Sequence, residues 1–186
     1  MSTHEHDVPS VIASRRTSLR MDPDLVVDPA AVLHLCRLAT WAPNHHRTEP
    51  WRFAAFTGDG RRTLGDTIAA QMLAEGTKPE RVAKTRLKYL RAPVMLLVGS
   101  ASGEDERTTI ENRDAVAAAI QNMLLGATAL GLASFWSSVA TPTAHGLLEL
   151  CRFEPETVIV AALYLGHPIG DVPPPPRRQP TITWVS

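Results

Sequence analysis

The chain has 186 residues, of which 44% are hydrophobic and 20% charged, with nineteen Lys and Arg set against nineteen Asp and Glu. That size suits one continuous hydrophobic core and is short for two, and the composition is too apolar for a disordered chain. With no net charge there is no global field to draw the molecule onto nucleic acid or an anionic membrane, so any polyanion has to be held by a local cluster.

The opening MSTHEHDVPS has neither a basic n-region nor an apolar h-region and does not read as a signal peptide. No stretch approaches the roughly 20 apolar residues that span a bilayer. A single soluble, cytoplasmic domain is therefore expected, with residues 1–8 disordered. Cys36 and Cys151 are too few and too far apart for a disulfide scaffold, and each sits in an apolar segment as a buried thiol would.

In chain order, a short helix is expected over Pro9–Arg16, ending in the basic pair Arg15 and Arg16. Asp28 offers an N-cap with Pro29 at the first helical position, and Val32, Leu35, Cys36 and Ala39 make one apolar stripe behind it. Pro43 ends that helix and opens the polar loop NHHRTE, which Pro50 closes before the strand WRFAAF. A helix follows near Arg61–Ala74, then a break at EGTKP and a basic helix from Glu80 to about Tyr89.

RAPVMLLVGS reads as a buried strand and SGEDERTT as a solvated turn or lid. The longest helix is expected over Arg113–Leu130, rich in Ala and apolar on most of its surface, as a core or interface helix is. GLASFW is the next strand, TPTAHGLLELC a helix opened by Thr141 and Pro142, and TVIVAALYLG the clearest strand, closed by Gly166. Residues 167–186 include four consecutive prolines, tend toward polyproline II and read as an extended C-terminal arm.

Several familiar chemistries are absent. There is no GxGxxG, Walker loop, CxxC, HExxH or GxSxG. The adjacent His45 and His46, and the pair His4 and His6, lack carboxylates at metal-ligand spacing, so no metal site is expected. What remains is a set of polar interruptions. Ser14-Arg15-Arg16-Thr17-Ser18 places two guanidinium forks and three hydroxyls in five residues, a combination suited to phosphate oxygens. Pro43–Trp51 is a polar loop fenced by prolines. From Gly131 to Val139, strand residues give way to Trp136-Ser137-Ser138, where small residues let a planar ligand approach the backbone. Arg177 and Arg178 lie in the tail. Taken singly, His45 reads as a loop histidine, Trp136 as core filling, Trp41 and Trp51 as core or interface, and Glu49 as a partner for Arg47 or Arg52.

Together these segments resemble the nitroreductase family of flavoproteins, in the short subgroup without large insertions. SRRTS is similar to the family's basic opening motif, and APNHHRTEPW resembles the loop that leads into its first strand. NRDAVAAAIQNMLLGATALGLASFW resembles its central helix and following strand, and VIVAALYLGHP its last core strand. The resemblance implies an α+β, three-layer fold with a central, mainly antiparallel sheet flanked by helices. It implies a homodimer with a C-terminal arm and two FMN sites at the interface, reduced by NADH or NADPH and reoxidised by a small-molecule acceptor such as a nitroaromatic or quinone. Neither nucleic acid nor membrane is an implied partner.

By the same resemblance, Arg15, Arg16 and Thr17 contact the FMN phosphate and ribityl chain. Pro43, Asn44 and His45 reach the partner chain's flavin, and Trp136, Ser137 and Ser138 lie against the ring. Arg177 or Arg178 completes the phosphate site, with Arg178 slightly favoured. No side chain is assigned as catalytic acid or base. Glu49 stands where many relatives carry Gln or another neutral residue, Arg47 where a small polar residue is common, and the extended helical lid of larger relatives is missing. Two alternatives stay open: a flavin enzyme of this fold with other chemistry, such as dehalogenation, ene reduction or flavin breakdown, and a non-catalytic flavin-binding homodimer.

Overall fold

The computed structural model describes residues 7–186. Of the expected disordered start, residues 1–6, with His4 and His6, lie outside the described residues. Asp7 and Val8 are ordered by a cap: the Asp7 carboxylate accepts from the Ser10 amide at 2.9 Å and opens α1 (Val8–Ser14). That helix stops before the basic pair. Arg15 is already extended, with φ −56° and ψ 129°, so Arg15 and Arg16 leave the helix instead of ending it.

Asp28 caps α2 (Pro29–Ala39) by accepting from the Ala30 amide at 2.8 Å, with Pro29 opening it as the sequence indicates. Strand β1 (Trp51–Phe56) follows, then α3 (Gly60–Ala74), α4 (Pro79–Lys88), a short 3-10 turn over Tyr89–Arg91, and β2 (Val94–Ser100). The long helix α5 (Glu106–Ala129) begins seven residues before the expected Arg113, because the Asp105 side chain accepts from the Thr108 amide at 2.7 Å. Most of SGEDERTT is therefore the cap and exposed first turn of α5, not a lid. Next come β3 (Ala133–Ser137), α6 (His145–Cys151) and β4 (Val158–Gly166). Helix α6 starts at His145, and Thr141 and Pro142 belong to the turn before it.

The four strands form one sheet in the order β1-β2-β4-β3, and every strand pair is antiparallel. Period-two alternation divides its faces. Val94, Leu96, Val98, Leu163 and Leu165 pack with Val32, Leu35, Val116, Ile120 and Met123 of α2 and α5. Met95, Leu97, Ala162 and Tyr164 pack with Leu64, Ile68, Met72, Val82 and Leu147 of α3, α4 and α6. The result is the helix–sheet–helix layering expected. Gly126 of α5 lets α2 come close: a Cβ there would sit 2.5 Å from a Leu38 methyl and 2.9 Å from one of Leu35.

The segment after α1 covers the open edge of β3. Thr17 forms a parallel bridge with Ser134, and the Ser18 amide donates to the Ser134 carbonyl at 3.0 Å. A second bridge, Met21 to Pro168, extends this cover past the end of β4. The edge is thereby covered at Ser134 by the chain's own backbone. From residue 171 onward no helix or strand forms, and Trp184 is 87% exposed. The Cys151 thiol is buried and that of Cys36 half-buried; burial raises them to about 12 and about 11, so both stay protonated and inert at neutral pH.

Candidate active site

Two separate places gather the residues singled out by the sequence. The first runs along β3. Arg15 and Arg16 are half-buried, and the Arg15 guanidinium donates to the Thr17 hydroxyl at 3.4 Å. One terminal nitrogen of Arg16 donates to the carbonyls of Ala13 (2.7 Å) and Arg15 (3.0 Å), which fixes the side chain. Its Nε is buried and has no hydrogen-bond partner. The same is true of the Ser134 hydroxyl, on a residue only 1% exposed beside Thr17. Buried donors without partners are rare in native proteins because each forfeits its hydration, so this strip has capacity for a ligand's oxygens.

Because Thr17 pairs with Ser134 in parallel, the arginines lie toward the start of β3. Trp136, Ser137 and Ser138 mark its other end, with Ser137 about 10 Å further along the strand from Ser134. Trp136 is 38% exposed and is not core filling, while the Ser137 hydroxyl donates to the Ser138 carbonyl at 3.2 Å.

The second place is a groove of about 350 Å³ where Pro43, Asn44 and His45 face Glu111, Asp114 and Ala115 of α5. Neither Arg15–Thr17 nor Trp136–Ser138 lines it. The loop behind it is strained. His46, Arg47 and Glu49 have φ of 58°, 52° and 45°, and left-handed backbone at a non-glycine residue costs on the order of 1–3 kcal/mol. Hydrogen bonds hold it: Asn44 donates to the Thr48 hydroxyl at 3.0 Å and accepts from the Glu49 amide at 2.8 Å, and Thr48 in turn donates to Asn112 of α5. The His45 Nδ1 lies 2.7 Å from Glu111, whose other oxygen accepts from Arg107 at 3.0 Å. His45 first, and then Arg107, hold the Glu111 carboxyl below the ordinary carboxylate range.

Arg177 and Arg178 join neither place; both are exposed and make no hydrogen bond or ion pair among the described residues. Glu49 is not the carboxylate partner of Arg52, as the sequence had suggested. Arg52 grips both oxygens of Glu154 at 2.8 and 3.0 Å and donates to the Glu49 carbonyl. Glu111, Asn112, Asp114, Thr48 and Ser134 were not identified from the sequence. Glu111 and Asn112 were hidden by the late start assigned to α5, since without its first two turns they lie on no helix face, and Asp114, inside the expected helix, is a charged residue on its exposed side with no further signal. Thr48 and Ser134 carry no signal beyond being hydroxyls in a polar loop and an apolar strand. Trp41 is 81% exposed, and Trp51 packs on the core under α2 and α5.

The protein is thus of the α+β class in three layers, with an arginine–hydroxyl strip on a sheet edge and a polar groove beside its long helix. Comparison with known proteins is more specific. The nitroreductase family profile matches residues 12–167. The Bacillus subtilis protein YfhC, provisionally named a NAD(P)H nitroreductase, is 33% identical over 95% of this chain and 92% of its own. The 5,6-dimethylbenzimidazole synthase of Rhodospirillum rubrum is 31% identical over 90% of this chain and 82% of its own. A Desulfovibrio desulfuricans protein, solved with FMN and provisionally described as a nitroreductase, is 28% identical. It covers 95% of this chain and 93% of its own, with a TM-score of 0.69. The chain belongs to the nitroreductase family.

The residues present fit a flavin mononucleotide. Its phosphate calls for fixed guanidinium and hydroxyl donors, and Arg16 has a buried one unspent while Arg15 and Thr17 stand beside it.

Proposed function

We propose that this protein is an FMN-dependent oxidoreductase that passes reducing equivalents from NADH or NADPH to a nitroaromatic, quinone or similar acceptor. The observation that carries the reading is the unpartnered, buried Nε of Arg16 on the covered edge of β3, in a chain of this family. Arg15, Arg16 and Thr17 hold the phosphate and ribityl oxygens, and the β3 end at Trp136, Ser137 and Ser138 receives the ring. FMN, when bound, supplies a two-electron relay between nicotinamide and acceptor.

The chain's own part is to bind, orient and polarise. Fixed arginine donors neutralise the phosphate, and backbone N–H groups beyond Trp136 favour negative charge on the ring's polar edge. In this reading Pro43, Asn44 and His45 serve the site of a second copy, so the active form is a homodimer with two FMN sites. The tail brings Arg178, or Arg177, to the phosphate. Donor and acceptor use one opening in turn, which gives ping-pong kinetics. Protons come from solvent, with no side chain assigned as acid or base.

The visible absorption spectrum before and after anaerobic addition of NADH or NADPH tests this directly. A flavin band that bleaches, and returns when acceptor is added, is the expected result; a protein that takes up no FMN on reconstitution overturns it. A second reading, other chemistry on the same fold, is favoured by the likeness to the Rhodospirillum rubrum synthase. Permanent loss of the flavin band during aerobic turnover would select flavin breakdown.

A further inference from the structure

The Pro43–Glu49 loop adopts a conformation that its own residues disfavour, with three left-handed non-glycine positions within four residues. Something outside the loop has to hold it, and α5 supplies two adjacent side chains that do. Asn112 is 3% exposed and bonded at both ends of its amide: its Oδ1 accepts from the Thr48 hydroxyl, and its Nδ2 donates to the Ala101 carbonyl at 3.2 Å. Ala101 itself donates to the Pro50 carbonyl at 2.8 Å, so one buried amide ties together the loop, the exit of β2 and the long helix. Thr48 passes this hold to Asn44, which lines the groove.

Glu111, one residue earlier, approaches from the other side. An ionised carboxylate only accepts, so the 2.7 Å contact requires the proton on His45 Nδ1. Arg107 fixes the carboxylate from behind at 3.0 Å. The ring is thereby pinned, and Nε2 is left as its free nitrogen on a residue lining the groove.

We propose that Asn112 and Glu111 are positioning residues for the groove: Asn112 clamps the left-handed loop through Thr48, and Glu111 sets the His45 ring with Nδ1–H toward α5 and Nε2 toward the ligand. The identity of that ligand rests on the FMN reading, whereas the clamp does not. In the neutral ring, Nε2 is then an acceptor, suited to an N–H or O–H group of the bound molecule.

The test uses the full chain in three variants. Thr48→Val keeps the shape and removes the hydroxyl, Thr48→Ser restores it, and Glu111→Ala frees the ring. In FMN-free protein, amide exchange of residues 44–49 is expected to quicken up to about tenfold in Thr48→Val, as for loss of a partly buried hydrogen bond. Thr48→Ser should return to the parent rate, with β2 and β4 amides unchanged throughout. Nitrogen chemical shifts of the neutral His45 ring should report the Nδ1–H form in the parent and a shift to Nε2–H, the form favoured by a free histidine side chain, in Glu111→Ala. FMN binding, followed by flavin fluorescence, should weaken in both Thr48→Val and Glu111→Ala.

Parent-like exchange in Thr48→Val, or an Nε2–H ring in the parent, overturns the proposal. So does FMN binding that stays at the parent level in both variants. A parent that binds no FMN overturns the functional reading instead, and the exchange and ring measurements still decide the clamp.

Discussion

The two arginine pairs singled out by the sequence end in opposite circumstances. Arg15 and Arg16 lie in a backbone segment bonded to an edge strand, half-buried, with Arg16 anchored by two carbonyls. Arg177 and Arg178 follow four prolines in an exposed tail and have no partner among the described residues. The same side-chain chemistry is thus preorganised at one end of the chain and left free at the other. A donor already fixed loses little entropy on meeting an anion, whereas a free one must be ordered at that moment. In the proposed function, the single chain builds one half of an anion site, and the other half depends on what the tail meets.

Removing Arg16 should break this comparison most sharply. Arg16→Ala is expected to weaken FMN binding about a hundredfold, the upper range for a charge-assisted hydrogen bond, measured by flavin fluorescence at fixed ionic strength. Arg16→Lys should recover little of it, because an ammonium cannot satisfy the two carbonyls and also present a fork. Parent-like binding in Arg16→Ala would remove the β3 strip from the site.

Ser134 sharpens the contrast from the other side. Its buried hydroxyl has no partner in the free protein. Ser134→Ala should therefore raise the melting temperature of FMN-free protein, by an amount corresponding to about 1 kcal/mol, while weakening FMN binding several-fold. A lowered melting temperature would mean that the hydroxyl already has a partner.

Arg52 marks the limit of a guanidinium fully committed within the chain. Its grip on Glu154 pulls that carboxyl from about 4.5 down to about 2. A carboxyl lowered by folding stabilises the folded state above its unfolded value, and that contribution is lost as pH falls from about 4.5 towards 2. Acid unfolding of Glu154→Gln should accordingly depend less on pH across that window, by less than about 1 kcal/mol because the pair is largely exposed. The smallest effect is expected for Arg178→Ala, about two- to threefold in FMN binding and vanishing at high salt. A loss there as large as for Arg16→Ala would mean that the tail is as well ordered as the strand edge.

Where pattern and local chemistry agreed, the sequence was enough. Asp28-Pro29 predicted the start of α2, and the continuous apolar runs VMLLVGS and VIVAALYLG, each closed by glycine or a turn, predicted the two central strands. The beginning of α5 was misread because its first turns are polar and exposed, so hydrophobic periodicity is silent there. The only signal was Asp105 three residues before Thr108, a side-chain cap inside a charged run. That one boundary hid Glu111 and Asn112, and with them the groove's second wall. Pairing of the opening motif with β3 was invisible for a different reason: it is a tertiary contact between backbone groups, which any residues could make.

The cover over β3 also has a consequence in time. Arg20 donates to the Asp171 carbonyl, 151 residues further along. At roughly 5–20 residues per second, the ribosome needs about 8 to 30 s to make the chain between them. The Arg20–Met21 end of the earlier segment thus completes its contacts only once the chain beyond β4 exists. Contacts so distant in sequence slow folding, so in a nascent chain halted before β4 the ties of Met21 to Pro168 and of Arg20 to Asp171 cannot yet form.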